Sequence, residues 1–260
     1  MKKNILFLIL AIFLSGNLTL MAQLKQANLL FDQFKFSKAV PFYKKAVSDK
    51  NEAIRKLATC RLADCYRMMN NAEQASLWYA NSVIFTEVEP INYYYLGMSL
   101  RTLAKYSEAE KAFQKYAEKV PLDFKGKLYA EYCNEIMLWK DFSPCAEVKN
   151  AGVLNSAYSE FGSMFYKEGL IFTSDRDIDL INDRNYLWTS FGYLDLFSSH
   201  PLDNTDFWNG MTIPIKLPNI FNQPYHDGPA VLLPILRKYS PHVQQKISRE
   251  RIVLTYKLIT

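Results

Sequence analysis

Residues that could move protons or hold ions are plentiful in this chain, but few stand at the spacing such chemistry needs. Asp175, Asp177 and Asp179 alternate as D-x-D-x-D, a row of hard oxygen ligands of the kind calcium takes. Leu180 stands where an EF-hand loop needs glycine and Tyr186 where it needs glutamate, so the row reads as a polar hairpin loop. Serine, histidine and aspartate are available for a hydrolase triad, yet no G-x-S-x-G elbow frames a nucleophile. His200, His226 and His242 are scattered, without a carboxylate or cysteine cluster at zinc spacing. The glycines form no phosphate-cradling loop. Catalytic residues, metal ligands and cofactors are therefore all expected to be none.

A different set of residues is spaced for binding. Asn28, Phe31, Asp64, Arg67, Met68, Tyr94, Met98 and Arg101 recur on the first helix of each of three helical hairpins. Aromatic and methionine side chains would anchor a peptide or a partner helix there, and the two arginines would clamp carboxylates. The same eight residues also suit an ordinary solvated inner face with some packing positions.

The elements that position them come from a repeat. Tyr93, Leu96, Gly97, Leu100, Tyr106, Ala109, Phe113 and Pro121 follow the tetratricopeptide pattern, a helical hairpin of about 34 residues. One repeat earlier, Leu62, Ala63, Tyr66, Ala75 and Tyr79 occupy the positions of Leu96, Gly97, Leu100, Ala109 and Phe113. One repeat before that, Ala27, Leu30, Ala39 and Tyr43 occupy the last four of these positions. The small residues let two helices approach closely, and Pro121 stops the last one. Stacked hairpins need a cap; Leu128, Tyr132, Ile136 and Trp139 recur at about one helical turn and predict a capping helix over residues 125–140. The asparagine, lysine and arginine set by which some tetratricopeptide domains clamp chaperone C-termini is not reproduced.

Lys2 and Lys3 before the apolar run from Ile5 to Leu14, with Leu20-Met21-Ala22 ahead of Gln23, have the layout of a cleavable secretory leader over residues 1–22. The formal charge is +5. Two lysines fall in the leader, and residues 232–260 hold six Lys/Arg against one Glu, which leaves −2 over residues 23–231. No basic stripe for nucleic acid is expected there. Cys60 and Cys65 lie five apart on one predicted helix and face different ways. Cys133 and Cys145 could close a short loop in an oxidising compartment, and four small buried hydrophobes are an equal reading.

Beyond Pro144 the period changes. Met164-Phe165-Tyr166, the turn Lys167-Glu168-Gly169 and Leu170–Ser174 predict a strand hairpin, and Leu194–Ser198 a third strand. Tyr158-Ser159-Glu160-Phe161-Gly162 is echoed further along the chain by Tyr225-His226-Asp227-Gly228-Pro229. These motifs, with Asp175-Arg176 and Tyr193-Leu194-Asp195-Leu196-Phe197, resemble the WD-type β-propeller of OmpA-family envelope proteins. In that family tetratricopeptide repeats precede the propeller, an order shared with PorE-like type IX secretion components.

The resemblance implies an α + β multidomain chain: a leader (1–22), about three tetratricopeptide repeats with a capping helix (23–140), and an incomplete antiparallel propeller of one blade and the start of a second (141–231). Residues 232–260 are expected to be a frame-shifted tail on a truncated protein, because one blade and a fraction cannot close. It implies a noncatalytic periplasmic, outer-membrane-associated scaffold with a protein or peptide partner in the cell envelope, no nucleic acid, and peptidoglycan contact only through a downstream domain absent here. The alternative is a propeller-based enzyme processing carbohydrate or peptide, for which no acid/base pair can be assembled.

Overall fold

The computed structural model describes residues 22–139, 149–176, 185–202, 210–234 and 250–254. Residues 1–21 of the expected leader, Cys145, Asp177, Asp179, Leu180, His242 and most of the expected tail lie outside them. The described residues fall into two units, the first holding residues 22–139 with Leu187–Thr189 and the second the others.

The first unit is a run of antiparallel helices: α1 (residues 22–32), α2 (Phe36–Ala46), α3 (Glu52–Met68), α4 (Ala72–Ser82), α5 (Ile91–Thr102), α6 (Tyr106–Lys119) and α7 (Lys125–Trp139). They pair as α1/α2, α3/α4 and α5/α6, the three hairpins of the tetratricopeptide register. Within each hairpin the turn is the same. Phe34, Asn70 and Ala104 take φ of 58°, 56° and 57°, and the next residue's N–H bonds back five residues, Lys35 to Leu30, Asn71 to Tyr66 and Lys105 to Leu100, each at 2.9 Å. This is a Schellman ending, in which one left-handed residue lets the chain satisfy the last carbonyls and reverse.

The small residues sit where the helices cross. Ala27, Ala39, Ala63, Ala75 and Ala109 are almost wholly buried, and a Cβ on Gly97 would stand 2.7 Å from the Phe113 ring. Glu131 occupies the register position that follows Gly97 one repeat on. An exposed carboxylate there gives no seat to a further aromatic, which suits α7 to capping the stack. The helix expected over residues 125–140 is present as α7, but of the stripe that marked it Tyr132 is 47% and Trp139 65% exposed. The packing surface is Gly126, Tyr129, Ala130 and Cys133. Gly126 is needed because a Cβ there would meet Ala117 at 2.9 Å.

The second unit holds an antiparallel sheet in the order β1 (Glu160–Tyr166), β2 (Gly169–Ser174), β3 (Asp195–Ser199), β4 (Ile215–Lys216). Ile171 pairs with Met164 and Ser198. The strand β5 (Ala230–Pro234) pairs separately with β6 (Glu250–Leu254). Phe172, Phe197, Leu154 and Met211 pack on one side of the sheet, and Ile171, Leu196 and Ala230 on the other. Arg176 lies across Phe172 and Phe197 and pairs with Glu160 at 2.9 Å. The expected strands are present and β4 is added to them. A closed propeller is not formed among the described residues: there are one four-stranded sheet and one strand pair.

Candidate binding face of the helical unit

The odd-numbered helices α1, α3, α5 and α7 touch one another through side chains, and all eight residues predicted for binding lie on the first three. Each of the eight is half-buried. Asn28 accepts the Tyr43 hydroxyl at 2.7 Å, and Asp64 accepts the Tyr79 hydroxyl at 2.7 Å. Acceptor and tyrosine have the same separation along the chain in both hairpins, and in the third hairpin the same two positions are Met98 and Phe113. The polar pair has been exchanged for an apolar pair as a unit. Asn28 and Asp64 are thus spent on holding their own hairpins together.

Arg67 is also committed. Its Nε donates to the Tyr79 hydroxyl at 2.9 Å, and a terminal nitrogen lies 3.5 Å from Asp64. Burial would lower its pKa, but Tyr79 and Asp64 outweigh that and hold it above the ordinary value. Burial, and then the Asp64 charge, raises the Tyr79 pKa far above the usual phenol range. The Asp64–Tyr79–Arg67 triad is therefore a fixed structural network in which the phenol keeps its proton.

Between successive odd-numbered helices runs a row of guanidinium–ring contacts. Arg61 lies over Phe31 at 4.4 Å, Arg67 over Tyr95 at 4.0 Å and Arg101 over Tyr129 at 4.8 Å. In register, positions 31, 67 and 101 form one side of this ladder and 61, 95 and 129 the other. The first rung has its aromatic and its arginine exchanged relative to the other two. Each rung joins one repeat to the next through a cation–π contact worth about 0.5–1 kcal/mol where solvent reaches it. Arg61, Tyr95 and Tyr129 were not in the predicted set, although their recurrence at the repeat spacing could have shown them.

The ladder sorts the arginines. Among the described residues Arg61 and Arg101 make ring contacts without a hydrogen bond or ion pair, so their N–H groups remain available. Tyr94 sits among Tyr95, Phe113, Tyr116 and Tyr129, and Met98 packs in the same cluster. Burial, then Tyr129, pushes the Tyr94 hydroxyl up to about 12. Met68, at the end of α3, has its carbonyl occupied by the Trp188 indole N–H. Trp188 also stacks on Phe34 and meets Phe36 edge-on.

A cavity of about 380 Å³ opens between α3 and α5, lined by Lys56, Cys60, Arg61, Asp64, Asn92 and Tyr95. Burial pushes the Cys60 thiol up to about 11, which keeps it protonated and weakly nucleophilic. A larger trough of about 880 Å³ runs over α4, α5 and α6, floored by Leu96 and Leu100; none of the eight predicted residues lines it. Among the described residues no three His, Cys, Asp or Glu side chains converge as metal ligands, and no helix is long and apolar enough to cross a membrane. Asp175, the described member of the D-x-D-x-D row, accepts the Ser159 N–H at 2.8 Å.

No protein-family model matches the chain, and no curated protein matches it. Solved structures similar to it carry tetratricopeptide repeats. One is the C-terminal repeat domain of a Plasmodium falciparum protein described as FK506-binding, at 17% identity and TM-score 0.41, covering 47% of this chain and 91% of that one. Another is the first repeat domain of Spaghetti bound to an HSP90 peptide, at 18% identity and TM-score 0.40, covering 46% and 93%. A third is the Sgt2 repeat domain of Aspergillus fumigatus, at 18% identity and TM-score 0.39, covering 52% and 91%. The tetratricopeptide assignment rests on the register and the repeated turn, not on these likenesses.

Proposed function

We propose that the chain is a noncatalytic scaffold whose α1/α3/α5/α7 face holds a segment of a partner protein bearing carboxylates. The observation that carries this is the guanidinium–ring ladder. Stacking fixes the planes of Arg61 and Arg101 and leaves their N–H edges unpaired, which reduces the entropy a carboxylate must overcome on binding. Tyr94 and Met98 supply apolar contact beside Arg101. Arg67, one of the two arginines expected to clamp, is replaced in that role by Arg61.

The setting proposed with it is the cell envelope: cleavage before Gln23, residence in the periplasm at the outer membrane, and the second unit as the first blade of a propeller in an OmpA-family or type IX secretion protein. The motif around Tyr158 and its echo at Tyr225, each leading into a strand, support that part.

Placing a photo-crosslinking amino acid at Tyr132, on exposed α7, should trap a defined partner in the envelope fraction. Arg61→Glu with Arg101→Glu should reduce the trapped product at least about tenfold, since each charge-assisted bond is worth roughly 1.5–3 kcal/mol, without changing the helical content. Unchanged trapping would remove these arginines from the binding face. N-terminal sequencing of the same product should begin at Gln23.

A further inference from the structure

On the edge of β3 away from β2, the loop between β4 and β5 holds the start of the strand through two side chains, Asn222 and His226, and two backbone bonds, from the Leu217 N–H to the Leu196 carbonyl and from the Asp227 N–H to the Leu194 carbonyl. Asn222 accepts the Leu196 N–H at 2.8 Å and donates to the Leu196 carbonyl at 3.2 Å, as a backbone peptide would. Two residues earlier on β3's approach, the Leu194 N–H donates to His226 Nδ1 at 3.0 Å, and its carbonyl accepts the Asp227 N–H at 2.7 Å. The His226 ring is wedged edge-on against Tyr186 at 4.4 Å and lies 5.0 Å from Tyr193.

We propose that His226 is a proton-operated latch on this loop: neutral, it accepts the Leu194 N–H and holds the lead into β5; protonated, it lets go. The reason is donor and acceptor count. An imidazole that accepts at Nδ1 carries its proton on Nε2, whereas imidazolium has a donor at both nitrogens. Its Nδ1–H would then face the Leu194 N–H across the same gap, and two donors cannot pair. Asn222 has no such proton, and the Asp227 N–H bond to the Leu194 carbonyl is backbone, so these are the fixed part of the attachment and the bond to the Leu194 N–H is the part that is released. Beyond the latch, Ala230 packs on Ile171 and Leu196, and release loosens this cover over the apolar side of the sheet.

The surroundings set the direction. Asp175 and Asp227 are the carboxylates facing the ring and favour its charged form; the other groups packed on it are the Tyr186 and Tyr193 rings. Burial outweighs the two aspartates, so the His226 pKa lies below the ordinary 6.5. The unfolded or released imidazole binds a proton more readily than the latched one. The latch is therefore fully set above about pH 6.5 and is lost as the pH falls through the lower, latched value.

Amide hydrogen exchange by NMR on the full chain, corrected for the intrinsic rate, tests this. From pH 7 downwards the Leu194 protection should hold and then fall about tenfold per pH unit, while Leu196, held by Asn222, stays protected. His226→Asn, which can still accept a hydrogen bond but does not titrate, should show pH-independent Leu194 protection. The ring nitrogen shifts at neutral pH should report an unprotonated Nδ1. Constant Leu194 protection from pH 7 to 4.5, the same fall in His226→Asn, loss at Leu196 in step with Leu194, or a protonated Nδ1 at neutral pH would each overturn the proposal.

Discussion

Gly97 and Tyr79 show how single side chains set the spacing within a hairpin. Phe113 is fully buried and stacked on Tyr129 with centroids 5.3 Å apart, so its ring cannot retreat from a methyl group placed against it at position 97. Gly97→Ala should gain up to about 1 kcal/mol in helix propensity yet lose roughly 1–3 kcal/mol to overpacking. Net destabilisation is expected in urea titration, and Gly97→Ala with Phe113→Leu should recover part of it. A stabilised Gly97→Ala would mean that α5 and α6 stand further apart. Tyr79→Phe removes a hydroxyl that bonds both a carboxylate and a guanidinium, where Tyr43→Phe removes a single bond to a neutral amide. The first should cost about 1.5–3 kcal/mol and the second about 0.5–1.5 kcal/mol; equal losses would contradict the triad.

At the scale of the element, the start of each even-numbered helix is a natural comparison, because Lys35, Asn71 and Lys105 hold the same register position. Asn71 accepts the Gln74 N–H at 3.0 Å, while neither lysine makes a side-chain cap. Asn71→Ala should therefore cost about 1 kcal/mol, and Lys105→Asn should gain a similar amount, read as opposite shifts in the urea midpoint. The periodicity of Gly97, Ala109 and Phe113 made the hairpins legible in the sequence, because close contact leaves small and large residues at fixed intervals. The turns were less legible: Phe34 adopts a left-handed backbone that bulky residues rarely take, imposed by the helices on either side. The helix α7 was legible from large periodic residues such as Tyr132 and Trp139, but its packing face was not, because Gly126 and Ala130 pack by being small. The binding face was read by residue type, which found Arg101 but could not show that Asp64 and Arg67 were paired with Tyr79. The four-stranded sheet was legible in its hairpin, but β4 is two residues long and too short to leave a period.

Over the whole molecule, two separate apolar cores predict two separable unfolding events. The helical unit is organised around Tyr43, Leu62, Tyr79 and Phe113, and the sheet unit around Ile171, Phe172, Leu196 and Phe197. Sites with no shared partner act additively, so a change in one core should move one transition. Gly228 gives a probe for the second unit: it has φ of +102°, and a Cβ there would collide with the Thr173 side chain. Gly228→Ala should lower the stability of the sheet unit by roughly 1–3 kcal/mol through backbone strain and overpacking. Gly97→Ala should do the same to the helical unit. Followed by hydrogen exchange across a urea series, Gly228→Ala should bring forward the exposure of Leu196 and leave Leu62 unmoved, and Gly97→Ala should do the reverse. If either variant shifts both amides together, the two cores unfold as one cooperative body, and the all-or-none description of a single domain would apply to the whole chain.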